Sequence, residues 1–247
     1  MYFFSDTGSF EREWGLHPRE TRIDANNLEE QWVIIQKNED DENFDHLLNA
    51  CIKFGKNFPQ DIEIGPVVIN VSCKFSDSNL KKLRRVICML LDKGVKVHLN
   101  FDLLWIEKYN PTLRLLFKCI PFCHKVTFER TSLDIKDFEE LAKCMNGEDL
   151  SSLKSISFVD SSVDDAKIIP VLQYLPYIEE VLLHNAQYVT KKTFKAMCDM
   201  MKIMVENDEE ILMKRVTVND EKLEKKVQKL FKLFPGVDVK FSIKDWS

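Results

Sequence analysis

Glycine is scarce in this chain, which has seven glycines among 247 residues, and they do not cluster. A site that cradles phosphate groups or a dinucleotide needs a glycine-rich turn after a strand, because glycine lets the backbone approach the phosphates closely. The sequence contains no such turn, and it contains no serine elbow of the hydrolase type. These absences argue against a nucleotide-dependent enzyme and against a serine hydrolase.

An excess of positive charge is also absent, since the formal net charge is -5 at pH 7. Such a chain has no global positive field that would draw it to nucleic acid, so general nucleic-acid binding is disfavoured. The longest apolar stretches, such as Val86–Leu91, are far shorter than the roughly 20 residues of a membrane span. We therefore expect no membrane partner.

The chain begins without a basic segment or a sustained apolar run, and it reaches charge at Asp6, so we expect no secretion signal. Its seven cysteines are odd in number and scattered, which is typical of buried thiols in a reducing compartment. We expect a cytoplasmic or nuclear protein.

Seven short segments of alternating apolar residues recur along the chain and predict strands. Their central residues are Ile69, Val97, Val126, Ile156, Val181, Val216 and Val239, which lie 23 to 35 residues apart. An earlier segment, Trp32–Ile35, predicts one more strand. Between the strands the apolar period lengthens to that of amphipathic helices, and we expect helices to begin near Ser78, Ser162 and Thr190.

A short strand and one helix cannot bury their apolar faces alone, so such units must stack on their neighbours. We predict an α/β fold, a curved solenoid with a parallel sheet on its concave face and helices on its convex face. The same alternation also fits a doubly wound sheet, but the near-constant spacing and the shortage of glycine favour the solenoid.

Three segments carry a pattern of leucine, two variable residues, leucine, one variable residue and leucine. They are Leu153–Phe158, Ile178–Leu183 and Met213–Val218. The chain resembles a divergent leucine-rich-repeat protein over about residues 60 to 245. This resemblance implies a non-catalytic surface for binding other proteins.

The position at the end of the strand departs from that family, which usually has asparagine there, whereas this chain has Ser161, Ala186 and Glu221. The irregular units and the lysine-rich, glycine-poor composition resemble the repeats of F-box-associated substrate receptors, including the nematode type. That resemblance implies a substrate-recognition subunit, although the first 60 residues contain no F-box pattern.

Three regions are predicted along the chain. Residues 1–30 form a polar amino-terminal arm, either disordered or docked, in which Phe10 and Trp14 are large aromatic residues that need a surface to pack against. Residues 31–60 form a capping strand-helix unit. Residues 61–247 form the irregular leucine-rich-repeat-like solenoid.

Cys119, Cys123 and His124 come nearest to a metal-binding motif. A structural zinc site usually has four ligands in paired spacing, and both cysteines continue apolar patterns, so we interpret them as core residues. We predict no metal, no cofactor and no catalytic residue.

Residues between the buried strand positions point away from the helices and form an extended surface. Charges of both signs are interspersed there, which favours a protein or peptide partner. The predicted partner-binding residues are His98, Lys125, Glu129, Arg130, Lys154, Asp160, Glu179, Glu180, His184, Lys214 and Arg215, together with Phe10 and Trp14 of the arm.

The leading hypothesis is a protein-interaction module that acts as a scaffold, an adaptor or a substrate-recognition subunit. One alternative is an RNA-associated protein, for which the basic residues of the same surface form a partial row. A second alternative is an enzyme on a doubly wound sheet, whose site would lie near Asp102, Thr131, Asp160 and Asn185.

Overall fold

The computed structural model describes residues 33–35, 48–49, 52, 66–72, 75–102, 111–184, 188–218 and 221–241. Within these ranges the fold is α/β, with a parallel sheet and with helices between its strands, so the predicted class is confirmed. Phe10, Trp14 and the whole predicted arm lie outside the described residues.

Eight strands lie in the described ranges and form a single sheet in which each neighbouring pair is parallel. They are β1 (Val33–Ile35), β2 (Val67–Ser72), β3 (Val97–Asp102), β4 (Lys125–Glu129), β5 (Ser155–Val159), β6 (Glu180–His184), β7 (Arg215–Val218) and β8 (Asp238–Phe241). The strand order in the sheet follows the order along the chain from β1 to β8. A doubly wound sheet reverses its order at a switch point, so that alternative is wrong for the described strands.

Six α-helices have both their ends among the described residues, and Leu48, Asn49 and Ile52 are helical as well. The six helices are α1 (Asp77–Asp92), α2 (Arg114–Phe117), α3 (Ile135–Met145), α4 (Asp165–Leu172), α5 (Lys191–Glu206) and α6 (Glu221–Phe231). Short 3-10 turns occupy Pro111–Leu113, Ile120–Phe122 and Leu175–Tyr177. No helix in the described ranges combines the length and the apolar character that crossing a membrane requires.

Side-chain caps fix where the longer helices begin. Ser76 caps α1, since its Oγ accepts a hydrogen bond from the third helical N–H, so the predicted start at Ser78 is two residues late. Asp164 caps α4 in place of the predicted Ser162, because its carboxylate accepts two backbone N–H groups. The predicted start at Thr190 is confirmed, since this residue caps α5.

The core is built from residue rows that run across the strands. Phe101, Phe128 and Phe158 are in register on β3, β4 and β5 and are 0% exposed. Their rings stack in sequence, with centroids 4.9 and 5.2 Å apart and planes 8° apart in both pairs. Phe117 of α2 and Phe138 of α3 pack against this stack. The parallel register thus places like residues directly beside one another, and the helices cover them.

The opposite face of the sheet has a different environment. On β3, Val97, Leu99 and Phe101 are buried, whereas the alternate residues His98 and Asn100 are partly exposed. Successive strand residues point to opposite faces, so the buried set lies beneath the helices. Consecutive helices pack against each other over that one side. We name the other side, which has no helix among the described residues, the open face.

The loops that follow β4 and β5 have matching geometry. Arg130 and Asp160 directly follow these strands, and both have left-handed backbones, with φ of 49° and 48°. In the next position, Thr131 Oγ1 lies 3.0 Å from the buried Ser161 Oγ. Ser161 Oγ also lies 2.9 Å from one carbonyl oxygen of β4 and from one of β5. A buried hydroxyl pair therefore joins the two loops at the position where the leucine-rich pattern has asparagine.

Candidate functional site

The open face presents its side chains in rows, because the parallel register aligns one residue of each strand with one of the next. The first row consists of Val68, His98, Lys125, Ser155, Glu180, Arg215 and Asp238. The second row consists of Asn70, Asn100, Thr127, Ser157, Leu182, Thr217 and Lys240. The third row includes Asp102, Glu129, Val159 and His184.

A further row, the edge row, is formed by the residues that directly precede the strands. It consists of His124, Lys154, Glu179 and Lys214, which precede β4 to β7 and align with Val97 of β3. Backbone hydrogen bonds tie this row to the sheet, as in the bonds of 2.9 Å from Lys154 N to His124 O and 2.8 Å from Lys214 N to Glu179 O. These bonds and the strand register bring together the predicted binding residues at the start of β4 to β7, which are Lys125, Lys154, Glu179, Glu180, Lys214 and Arg215.

Glu179 joins two cations of the edge row. One carboxylate oxygen lies 2.7 Å from Lys154 Nζ and the other lies 2.8 Å from Lys214 Nζ. The hydrogen bonds from Lys154 and then Lys214 hold the pKa of the Glu179 carboxyl below its usual value. The three charges are therefore fixed in alternating order over three consecutive strands.

The first row carries a second set of alternating charges. Glu180 Oε1 accepts a hydrogen bond of 2.8 Å from Arg215 Nη1 across β6 and β7. Asp238 follows Arg215 in the register on β8, so the sign changes at each step. Lys125, on the other side of this set, is exposed. Both rows thus offer side chains of both charges to an approaching molecule.

Two imidazole rings meet where the edge row and the first row adjoin. The rings of His98 and His124 are stacked, with centroids 5.5 Å apart and planes 16° apart. Burial, followed by the charges of His124, Lys125 and Lys96, lowers the pKa of His98 to about 4. Burial and then Lys96 also lower the pKa of His124. A charged pair would repel in this position, so the rings are neutral at pH 7.

An ion pair joins the carboxyl end of β3 to the residue that follows β4. Arg130 Nη2 bonds the Asp102 carboxylate, and Arg130 Nε lies 4.0 Å from Glu129 Oε1. The left-handed backbone of Arg130 turns the chain so that its N–H donates to Val159 O at 2.9 Å. Asp160, one strand further along, donates to His184 O in the same way. Arg130 and Asp160 are both half-buried, so they contribute to the rim of the open face.

The prediction for His184 requires a correction. Its side chain is 6% exposed, so its ring does not provide the exposed contact that the alternating pattern predicted. Its neighbour in the third row, Val159, is 2% exposed, so this end of β5 and β6 is covered where the end of β3 is not. Alternation along a strand specifies the face on which a residue lies and does not specify what covers that face.

Several predicted positions lie outside the described residues. These are Phe10 and Trp14 of the arm and Asn185, which was named for the enzyme alternative. Their contribution to binding stays a prediction.

Histidine, cysteine, aspartate and glutamate side chains are the candidates for chemistry among the described residues. No three of their histidine, cysteine, aspartate and glutamate side chains come together as a set of metal ligands. Burial raises the pKa of Cys119 to about 12 and also raises the pKa of Cys123, whose Sγ donates to Cys119 O at 3.2 Å. Thiols with a raised pKa are poor nucleophiles. Both cysteines are also buried, so we assign them to the core.

Asp102 belongs to the surface but was predicted only for the enzyme alternative. It holds Arg130, and it stands in register with Glu129. The signal was in the sequence, since Asp102 continues the alternation of His98 and Asn100.

Comparison with known proteins gives no family assignment: no protein-family model matches the chain, and no curated protein matches it. The geometry of the open face therefore carries the functional proposal.

Proposed function

We propose that this chain is a non-catalytic protein-interaction module, a leucine-rich-repeat-like solenoid that serves as a scaffold or as the substrate-recognition subunit of a larger complex. The observation that carries the proposal is the open face, where no helix of the described residues covers the parallel sheet and interspersed charges lie in rows. An extended surface of this kind suits a folded protein or a long peptide.

The solenoid part of the proposal is supported by the equivalence of successive units. The strand order follows the chain, so each described unit neighbours the next in sequence. The loops after β4 and β5 repeat a left-handed residue, a bonded hydroxyl and a capping aspartate at a spacing of 30 residues. Stacking of such units buries a continuous core, as in repeat proteins.

Charge compensation favours protein over RNA as the partner. Lys154 and Lys214 are held by Glu179, and Arg215 is held by Glu180. Binding to phosphates needs cations whose charge is free to replace counterions. A partner protein that carries charges of both signs can form new ion pairs with these residues. Each lysine, arginine and glutamate then keeps a group of opposite charge beside it.

We also propose that the protein needs no cofactor and that it is located in the cytoplasm or the nucleus. Five cysteines are free in the described residues: Cys88, Cys119, Cys123, Cys144 and Cys198. Of these, Cys119, Cys123 and Cys198 are buried, and free thiols in a core suit a reducing compartment.

The proposal is tested by site-specific photo-crosslinking in native cell extract. A photoreactive phenylalanine replaces Thr127, which lies in the second row and is partly exposed, and in a matched chain it replaces Glu139, which is exposed on α3. We expect discrete protein adducts from position 127 and none of those adducts from position 139. Adding Lys125→Glu and Arg215→Glu to the first chain should lower the adduct yield, since both substitutions reverse charges in the first row.

Equal adducts from both positions would contradict an open-face site. Adducts at position 127 that disappear after ribonuclease treatment would favour the RNA-associated alternative. Circular dichroism of each purified variant shows whether the fold is retained.

A further inference from the structure

Two adjoining grooves lie beside α1, where this helix leads into β3. Their volumes are about 520 and 780 Å³. Arg84, Cys88 and Asp92 border both, so the two grooves form one continuous depression. The larger groove extends past Lys118 to His124, at the edge of the sheet where the strands begin. We name this depression the α1 groove.

The α1 groove concentrates positive charge. Its cationic side chains outside the edge-row network of Glu179 are Lys81, Arg84, Arg85, Lys93, Lys96 and Lys118. None of them forms an ion pair with another described residue. Asp92 is the one carboxylate among the described lining residues. This cluster, which the carboxylates of the described residues leave without ion pairs, attracts an anion although the chain carries a net charge of -5.

Apolar side chains lie among these cations. Met89 and Leu115 line the smaller groove, and Leu91, Val95 and Phe122 line the larger one. Phe122 is 45% exposed, although it is a large aromatic residue. A ligand that brings only negative charge would leave this apolar surface in water, so the lining suits a ligand with both acidic and apolar groups.

Arg84 lies at the junction of the two grooves. Its side chain is half-buried, and its Nε has no hydrogen-bond acceptor among the described residues. Nε is itself buried, so it is the positive charge of this half-buried side chain that attracts a carboxylate to the junction, and arginine pairs well with carboxylates.

We infer that the α1 groove binds an acidic peptide segment of a partner protein, in which glutamate or aspartate residues alternate with bulky apolar ones. Such a segment matches the cations and the apolar lining together. Single-stranded RNA would need several aromatic platforms, whereas Phe122 is the one phenylalanine among the described lining residues and the His124 ring is already stacked on His98. The inference does not depend on the function proposed for the open face.

Fluorescence anisotropy with a labelled synthetic peptide of glutamate, leucine and phenylalanine tests the inference. We expect saturable binding that weakens as salt is added. The triple variant Lys93→Glu, Lys96→Glu and Lys118→Glu should bind about tenfold more weakly or worse, because it places like charges against the peptide. The matched control is Lys222→Glu, Lys226→Glu and Lys229→Glu on α6, which makes the same change in net charge at exposed lysines away from the groove.

Two further measurements locate the peptide. Phe122→Ser removes an exposed apolar side chain and should weaken binding by about tenfold, through lost burial against the peptide. In the unsubstituted protein, bound peptide should slow the alkylation of Cys88, which borders both grooves, as measured by mass spectrometry. Circular dichroism confirms that each variant is folded before its affinity is compared.

The inference is overturned if the peptide does not bind at low salt, or if the groove variant and the α6 control lose affinity equally. It is also overturned if poly-uridine RNA binds the groove in preference to the peptide. Crosslinking from position 127 on the open face is measured independently, so failure here leaves that result unchanged.

Discussion

The helix-covered face and the open face of the sheet are made by the same strands, yet they use the register in opposite ways. On the covered face, Phe101, Phe128 and Phe158 repeat one residue type from strand to strand and stack. On the open face, the sign of the charge changes from one strand to the next, as from Glu180 on β6 to Arg215 on β7. Neighbouring strands are about 4.8 Å apart, a distance at which like aromatic rings attract and like charges repel.

The two faces therefore differ in what they contribute. Burial of the aromatic row removes apolar surface from water and stabilises the fold. The charged rows are partly solvated, and exposed ion pairs contribute little to stability. The covered face holds the units together, and the open face keeps its charged groups in contact with solvent.

The largest effect is expected from Phe128→Ala. This side chain is 0% exposed and lies between two stacked rings, so its removal leaves a cavity and should lower the free energy of unfolding by about 3 to 5 kcal/mol. Thr127→Ala, one residue away on the open face, should cost less than about 1 kcal/mol. Urea unfolding of the two variants measures the contrast, and equal losses would contradict the assignment of the faces.

A smaller loss is expected from Ser161→Ala. Its buried hydroxyl joins the loops after β4 and β5, and without it the two carbonyl oxygens and Thr131 lose a shared partner. The expected loss is about 1 to 3 kcal/mol of unfolding free energy. The control is Ser162→Ala, whose hydroxyl lies 3.3 Å from Ser132 Oγ near the surface and should matter by less than about 0.5 kcal/mol. A control variant as unstable as Ser161→Ala would refute the special role of the buried pair.

The neutral histidine pair predicts how stability depends on pH. The pKa of His98 is about 4 in the folded protein and 6.5 in the unfolded chain, so the unfolded state takes up the proton first as the pH falls. The contribution of His98 is therefore complete above pH 6.5 and is lost as the pH falls towards 4. With allowance for partial solvation, the loss at pH 5 should be about 1 to 2 kcal/mol.

His98→Gln removes this titration while it keeps a polar side chain on the open face. Chemical denaturation at pH 7 and at pH 5 should show a smaller loss of stability in the variant than in the original chain. The same loss in both proteins would mean that the imidazole stack does not favour the neutral form of His98.

The smallest effect is expected from Glu180→Gln, which breaks the bond to Arg215. Their side chains are 46% and 44% exposed, so the pair should contribute less than about 1 kcal/mol. A double-mutant cycle with Arg215→Gln measures their coupling by urea unfolding. A coupling as large as the loss in Phe128→Ala would mean that the open face contributes to stability as the covered face does.

Much of the fold was predictable from local pattern. Each of the predicted strand centres between Ile69 and Val239 lies in a strand of the sheet. The helix starts were less accurate, because serine and aspartate are both good caps and the backbone decides which of them is used, as at Ser162 and Asp164.

The candidate surface was predicted in part. Alternation assigned Lys125 and Glu180 to one face, but it could not reveal that His184 is covered. The α1 groove was not predicted, because its lining comes from segments as far apart as Lys81 and Lys154, which share no periodic pattern.

The sequence by itself determined the α/β class and the alternation of strand and helix. The spacing of apolar residues within one short segment is enough to distinguish a strand from a helix. Only the tertiary structure decided which side chains meet: the shared carboxylate of Glu179, the neutral rings of His98 and His124, and the cations that gather beside α1. These features depend on register and burial between segments some 30 residues apart, and a pattern read along one segment does not contain them.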